Sequence, residues 1–142
     1  MTFHDHVLQL VDELGAHVWI CDTCDDWPEG AISRAQVEDG EGHVYLSHHP
    51  DLSTTTYLLA LHELGHLACQ RGTRRKFVDF RRPVLTDEAL AWRWAIDRAC
   101  ITLTAREWCE IHWRLKSYAD DRRYKRDTDF DSLLAEAERQ AA

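Results

Sequence analysis

The sequence predicts an α+β domain that is mostly helical and carries a small antiparallel sheet beside one central helix. Apolar residues recur at helical spacing in several segments that start with a helix-capping residue. Two short apolar segments instead have the length and composition of strands, and one of them follows a glycine-rich turn. The length of 142 residues suits one domain with a substantial core. Residues 1–142 are therefore expected to form a single domain.

The first part of the chain is predicted to hold one helix and the strands. Thr2 and Asp5 have the spacing of a capping box, and the apolar helical pattern that follows stops at Gly15. The turn at residues 39–42 (DGEG) is of the hairpin kind. The strand candidates are residues 17–21 (HVWIC), residues 43–47 (HVYLS), and residues 31–37, which fit a strand or a short helix.

Four further helices are predicted in the remainder of the chain. They are residues 54–69, a helix capped by Thr86, a helix from Thr104 to about Tyr118, and a short terminal helix at 130–142. Thr104 and Glu107 repeat the capping-box spacing. The domain thus divides into a motif core at about 40–100 and a helical C-terminal extension at about 104–142.

Residues 62–66 read His-Glu-Leu-Gly-His and lie inside the helix predicted at 54–69. Histidines at this spacing lie on the same face of a helix, so His62 and His66 can bind one metal ion. Glu63 lies roughly 100° around the helix from His62, which lets it overhang the ion without binding it. This arrangement suits a zinc site in which Glu63 takes a proton from a water activated by the metal.

The helix that carries the motif is apolar nearly all round, which predicts that it is buried. Buried histidines and a buried glutamate are costly unless a partner satisfies them, and a metal ion would do so directly. The alternative is a pair of core histidines satisfied by hydrogen bonds, with Glu63 at a wet edge. Gly65 weakens the helix by about 1 kcal/mol relative to alanine, so another segment is expected to approach closely there.

A third metal ligand is expected outside the motif, because a catalytic zinc ion usually takes three protein ligands and a water. Glu88 is preferred because it opens the next predicted helix, whose alanine residues are small enough for close packing. Asp87 points about 100° away from Glu88 on an ideal helix. Asp87 and a downstream histidine such as His112 remain alternatives.

The two motif segments together resemble the ImmA/IrrE-like zinc metallopeptidases. These segments are residues 61–67 (LHELGHL) and residues 88–95 (EALAWRWA). In the second segment, Trp92 and Trp94 replace the asparagine and phenylalanine that are more usual in the family. The resemblance covers about residues 40–100 and implies a zincin-like metallopeptidase domain with a gluzincin-type site.

The resemblance implies one Zn²⁺ held by His62, His66 and Glu88, with Glu63 as the general base. The family is common in bacteria, their prophages and integrative elements, which suggests a phage or mobile-element origin. We therefore expect a hydrolase, a zinc metalloendopeptidase that cleaves a regulatory protein such as a transcriptional repressor at a specific site. The alternatives are a zinc-stabilised binding module that acts as an anti-repressor or regulator without cleavage, and a zinc hydrolase of another substrate class.

The sequence says less about how a substrate would bind and which group would stabilise the oxyanion. The strand around residues 44–46 is expected to lie beside the cleft and to pair with an extended substrate. An oxyanion donor is also needed. The candidates, none of them singled out, are Tyr45, Tyr57, Arg93 and His112.

Charge and hydropathy restrict the partners. The net charge of −8 disfavours non-specific nucleic-acid binding. Residues 71–82 do contain six basic residues, which are expected to form a solvated loop or else a contact for an acidic partner or nucleic acid. No apolar run has the length of a membrane span or the form of a signal peptide, so the protein is expected in the cytoplasm, without a membrane partner.

The five cysteines lack the pattern of a disulfide framework, which fits a reducing compartment. Cys69, Cys100 and Cys109 have helical, apolar neighbours and are expected to be small core residues. Cys21 and Cys24 form a CxxC pair that is expected to be two unligated thiols, with a second zinc site or a redox pair as alternatives.

Overall fold

The computed structural model of the protein describes residues 1–21, 33–70, 85–121 and 126–142. In these ranges the helices are α1 (Phe3–Leu14), α2 (Thr54–Cys69), α3 (Leu85–Arg98), α4 (Ala105–Ala119) and α5 (Thr128–Ala141). The strands are β1 (His17–Ile20), β2 (Arg34–Glu38) and β3 (Glu41–Leu46), and a 3₁₀ turn at Pro50–Leu52 leads into α2. The α+β class is confirmed.

The capping signals in the sequence mark the ends of several helices. The Thr2 hydroxyl accepts the Asp5 N–H at 3.0 Å, and Gly15 follows α1 in the left-handed conformation with a φ of 66°. At the start of α4, the Thr104 N–H donates to the Glu107 carboxylate at 2.8 Å. These local contacts explain why the bounds of α1 and α4 could be predicted.

Thr86 is not the cap of α3, contrary to the prediction. The helix already includes Leu85, and the Thr86 hydroxyl donates to the carboxylate of Asp127. Asp127 is itself the N-cap of α5, where it accepts the Phe130 N–H at 2.9 Å. The threonine therefore joins the starts of α3 and α5, because a tertiary partner competes with the local backbone for its hydroxyl.

The sheet is mixed rather than antiparallel, with strand order β1-β3-β2. β2 and β3 form an antiparallel hairpin, and Asp39 and Gly40 in its turn have φ values of 52° and 78°. Positive φ at both positions is what a type I′ turn requires. β1 pairs in parallel with the other side of β3, with Val18 opposite Val44. The prediction of an antiparallel sheet is wrong because residue pattern specifies strands, not the direction in which a separate strand joins a hairpin.

The central position of β3 excludes it as the strand that pairs with a substrate. Both of its edges are already hydrogen-bonded, one to β1 and the other to β2. The sheet lies beside the motif helix as predicted, since α2 contacts both β2 and β3. Val44 and Leu46 of β3 are buried in the core, while Tyr45 between them is only partly buried.

α2 is the central helix, in contact with α1, α3, α4, β2, β3 and the 3₁₀ turn. The predicted burial of this helix is confirmed. α4 and α5 pack on each other, and α5 also contacts α3. The largest fully buried side chains are Leu46, Tyr57, Leu58, Leu61, Leu64, Leu67, Leu85, Trp92, Ile111, Leu115, Phe130 and Leu133. One core therefore joins the motif helix to every other helix and to the sheet.

The prediction that three cysteines lie in the core is wrong, since Cys69, Cys100 and Cys109 are exposed. Cys69 ends α2 and Cys100 follows α3, so both lie where a helix leaves the core. Cys109 follows the buried Trp108, and one helical residue turns it about 100° towards solvent. Helical context alone did not indicate the face on which each cysteine lies.

Among the described residues, no helix is both long enough and apolar enough to cross a bilayer.

Candidate metal centre

The two histidines of α2 lie on its buried side. His62 is 4 % exposed, and the side chain of His66 is 12 % exposed. Their ring centroids are 4.6 Å apart, with the rings inclined at 64°. The four-residue spacing thus places the two imidazoles next to each other on one face, as helix geometry requires.

Glu88, in the first turn of α3, meets both histidines. Its Oε2 lies 2.9 Å from His62 Nε2, and its Oε1 lies 3.4 Å from His66 Nε2. Glu88 is 8 % exposed, which is unusual for a carboxylate without such partners. The structure therefore brings together the three residues that the sequence suggested as ligands.

Gly65 makes this meeting possible. A Cβ at position 65 would lie 2.5 Å from the Ala91 carbonyl oxygen and 2.9 Å from the Ala91 Cα. Both are backbone atoms of α3, so no side-chain movement could relieve the contact. The close approach expected from this glycine is confirmed, and α3 is the approaching segment.

Glu63 lies outside the group of three. Its Oε1 is 3.6 Å from His62 Nδ1, whereas Glu88 faces the Nε2 atom of the same ring. The Glu63 side chain is 12 % exposed, so it borders solvent more than His62 does. The Glu63 carboxylate thus lies beside the group of three, on the Nδ1 side of His62.

Electrostatics holds His62 and Glu88 as an ion pair. Burial disfavours the charged imidazole, but hydrogen bonds and charges from Glu63 and Glu88 raise the pKa of His62 above its ordinary 6.5. Burial also disfavours the charged carboxylate, yet contacts with His62 and His66 lower the pKa of Glu88 below its ordinary 4.5. In both cases the partner outweighs desolvation.

The donor set fits a zinc ion. Two nitrogens and one carboxylate oxygen lie within 4.8 Å of one another, and His₂Glu is a ligand set of catalytic zinc sites. Ligands about 2.0–2.1 Å from a tetrahedral ion are roughly 3.3–3.4 Å apart. The two histidines contact different oxygens of Glu88, at 2.9 Å and 3.4 Å, so a small rotation of the carboxylate is needed for one oxygen to face both nitrogens.

Trp92 of α3 forms one wall of the centre. Its indole stacks on the His62 ring with centroids 4.4 Å apart and planes inclined by 14°. The residue is 1 % exposed, and among the described residues its Nε1 has no hydrogen-bond partner. This contact fixes the His62 ring plane and keeps water from one face of it.

Tyr118 is a residue of this centre that the sequence reasoning did not propose. Burial raises the pKa of the Tyr118 phenol, and the nearby charges of Glu88 and Glu63 add to this shift. Its position in α4 offered a signal, since Ile111 and Leu115 precede it at helical spacing and both are buried. The phenol is therefore close enough to both carboxylates to interact with their charges.

Three of the four proposed oxyanion donors are engaged away from the centre. The Tyr57 hydroxyl accepts the Cys100 N–H at 2.9 Å, and Tyr45 lies under the Arg34 guanidinium at 4.6 Å from its ring centroid. Arg93 bonds Glu136 at 2.6 Å, which links α3 to α5. The fourth candidate, His112, is partly buried on α4.

The other sequence-level candidates do not join the centre. Asp87, the alternative third ligand, is not part of this group; partial burial of the Cys69 thiol and then the charge of Asp87 raise the pKa of that thiol. The described part of the CxxC pair is Cys21, which is partly buried, while Cys24 lies outside the described residues. The basic stretch at 71–82 also lies outside them.

Comparisons of the chain with protein-family models, curated proteins and solved structures found no match.

Proposed function

We propose that this protein is a zinc-dependent metalloendopeptidase with a zincin-like fold, similar to the ImmA/IrrE-like enzymes. The observation that carries the proposal is the convergence of His62, His66 and Glu88 from two helices, with the Glu63 carboxylate beside them. A buried His₂Glu set with an adjacent unligated carboxylate is an arrangement suited to hydrolysis of a peptide bond. The proposed substrate is a regulatory protein of the repressor kind, cleaved at a specific site.

In the proposed mechanism, His62 and His66 would use their Nε2 atoms and Glu88 its carboxylate to hold the ion. A bound zinc ion would supply Lewis acidity that polarises the scissile carbonyl and acidifies water. Glu63 would take a proton from the attacking water and pass it to the leaving amine. It can do so by rotating its carboxylate away from His62 Nδ1, its 3.6 Å neighbour, towards the partly open edge of the cluster.

Surrounding residues would keep these groups in place. Trp92 stacks on His62 and excludes water from one face of that ring. The Tyr118 phenol lies near Glu88, and polar groups around the ligands of a metal site help to orient them. Within the described residues, an extended substrate that adds to the sheet would pair with the outer edge of β1 or β2, because both edges of β3 are occupied.

The proposal is tested first by metal content. Purified protein is expected to hold one tightly bound zinc ion that is lost in His62→Ala and in Glu88→Ala, measured by elemental analysis after dialysis. Zinc that remains unchanged in both variants would exclude this site.

Turnover is tested with transcriptional repressors as substrates, starting with any repressor whose gene adjoins that of this protein. Wild-type protein should cleave it, EDTA should stop cleavage, and Glu63→Gln should retain zinc while losing activity by about 10²- to 10⁴-fold. Equal cleavage by wild type and Glu63→Gln would refute the proposed general base.

A second candidate function is a zinc-stabilised binding module that sequesters a regulator without cutting it. The contact that favours it is the approach of Glu63 to His62 Nδ1, since a carboxylate on that nitrogen orients a metal-binding histidine. A Glu63→Gln variant with full regulatory activity and intact substrate would support this function over hydrolysis.

A further inference from the structure

We propose that His4, His49 and Asp51 form a second metal site, for a divalent transition-metal ion such as Zn²⁺. The site lies where the start of α1 meets the 3₁₀ turn, and it shares no residue with the buried centre. It is independent of the proposed peptidase function.

The first support is the convergence of three ligand atoms. One atom from each of the three side chains lies within 4.8 Å of the others. The His4 and His49 ring centroids are 4.5 Å apart, and the rings are tilted by 57° rather than stacked flat. Three atoms at this spacing have a common point roughly 2.8 Å from each, so small side-chain rotations reach the 2.0–2.2 Å of zinc ligands.

The second support is that the carboxylate is already oriented. Asp51 Oδ1 accepts the backbone N–H of His4 at 2.9 Å, across 47 positions of sequence. This bond leaves Oδ2 available, and that atom lies 3.9 Å from His49 Nδ1. Asp51 could therefore bind an ion through Oδ2 while Oδ1 keeps its hydrogen bond. Carboxylates that bind metal ions are commonly hydrogen-bonded in this way.

The third support is chemical selectivity and access. Two imidazoles with one carboxylate suit zinc, nickel or copper, whereas magnesium and calcium prefer oxygen ligands. His4 and His49 are partly buried and Asp51 is exposed, so an ion can enter from solvent and keep water ligands. His49 Nδ1 also accepts the Asp51 N–H at 3.1 Å, and an ion bound at that nitrogen would displace this bond. We therefore expect weaker affinity here than at the buried centre.

The location indicates what the ion would do. The 3₁₀ turn at Pro50–Leu52 is followed directly by Ser53, which caps α2 and accepts the Thr56 N–H at 3.1 Å. An ion between His4 and Asp51 would clamp α1 to the chain segment that enters the motif helix. Zinc at this site would thus stabilise the N-terminal end of α2 in a concentration-dependent manner.

The experiment uses the full chain without affinity-tag histidines and titrates it with Zn²⁺ by isothermal calorimetry. Wild type should bind two ions, the second at least tenfold more weakly than the first. His4→Gln and His49→Asn should each lose the second ion and keep the first, because asparagine can still accept the Asp51 N–H as a cap. His48→Ala is the matched control, since His48 is exposed and bonds Ser47 instead; it should bind two ions.

A number of bound ions that neither His4→Gln nor His49→Asn reduces would overturn the proposal, whether or not the buried centre also binds zinc. Loss of the second ion in His48→Ala as well would also contradict it. A second measurement follows the histidine ring signals by NMR in wild type preloaded with one equivalent of Zn²⁺. Further zinc should shift the His4 and His49 signals and leave that of His48 unchanged, and a shift confined to other histidines would refute the site.

Discussion

Gly65 of α2 and Ala91 of α3 lie in backbone contact: a Cβ on Gly65 would be 2.5 Å from the Ala91 carbonyl oxygen. Three positions before Ala91 along α3, Glu88 meets the histidines on either side of Gly65, His62 and His66. The separation of the two helices and the distances within the candidate metal centre are therefore linked.

Gly65→Ala should destabilise the protein and weaken zinc binding. Alanine gains about 1 kcal/mol of helix propensity, but the clash is with backbone, and overpacking of this kind costs about 1–3 kcal/mol or more. The clash should prevail, with a lower urea midpoint and a zinc affinity reduced at least tenfold by competition with a chelator.

Adding Ala91→Gly is an informative control for that variant. The clashing atoms belong to the Ala91 backbone, so removing its methyl group should not restore stability or zinc affinity. Full rescue by Ala91→Gly would show that the helices are held apart by side chains rather than by backbone contact.

Tyr118→Phe should weaken zinc binding with little effect on folding. The substitution keeps the ring and removes only the hydroxyl, which lies near the Glu88 carboxylate. Loss of a polar group beside a metal ligand typically costs 10- to 100-fold in affinity or activity, so we expect a drop of about tenfold. Tyr45→Phe, on the sheet beneath Arg34, is the control and should bind zinc like wild type. Equal affinities in the two variants would contradict a role for Tyr118.

Trp92→Ala and Trp113→Ala should differ sharply in stability. Trp92 is 1 % exposed and stacks on His62, whereas Trp113 is 64 % exposed. Truncating a buried tryptophan costs about 3–5 kcal/mol, and a surface substitution stays within about 0.5 kcal/mol. Urea unfolding of both variants measures the difference. Comparable losses would mean that Trp92 does not pack as described.

Without metal, stability should pass through a maximum in mildly acidic solution. The lowered pKa of Glu88 contributes stability that is present above its ordinary value of 4.5 and lost as pH falls through the folded-state value. The raised pKa of His62 contributes stability that is present below 6.5 and lost as pH rises through the folded-state value. Both contributions are therefore present between about 4.5 and 6.5.

Thermal unfolding in EDTA from pH 4 to 9 measures this dependence, with Glu88→Gln as the comparison. In this variant, the part of the decrease in unfolding temperature at low pH that is due to Glu88 should be absent. Identical pH profiles for the two proteins would refute the ion pair. The stabilisation of the fold by added zinc should instead increase as pH rises, because the metal binds deprotonated imidazoles.

Local signals explain how much of the fold could be predicted. The α2 bounds follow from a run of capping residues at 53–56 and an apolar run of helical length, and α1 follows from Thr2 and Gly15. The hairpin followed from the Asp39-Gly40 turn, whose positive φ values favour such residues. Each of these features depends on residues only a few positions apart.

Thr86 and β1 mark where local signals were insufficient. Threonine is a common N-cap residue, yet the Thr86 hydroxyl donates its hydrogen bond to Asp127, which is 41 positions away. β1 has the composition of a strand, but its parallel pairing with β3 depends on how the chain returns to the sheet. Distant partners compete with local ones, and the outcome depends on the packing of the whole domain.

The sequence by itself determined the chemistry of the candidate site and the helices that carry it. Spacing of 3.6 residues per turn places His62 and His66 on one face, and Gly65 already implied a close neighbour. Only the tertiary structure decided which segment approaches Gly65, that Tyr118 lies near Glu88, and that His4 meets Asp51. The reason is that local geometry repeats with every turn of a helix, whereas contacts between distant segments depend on how the whole core packs.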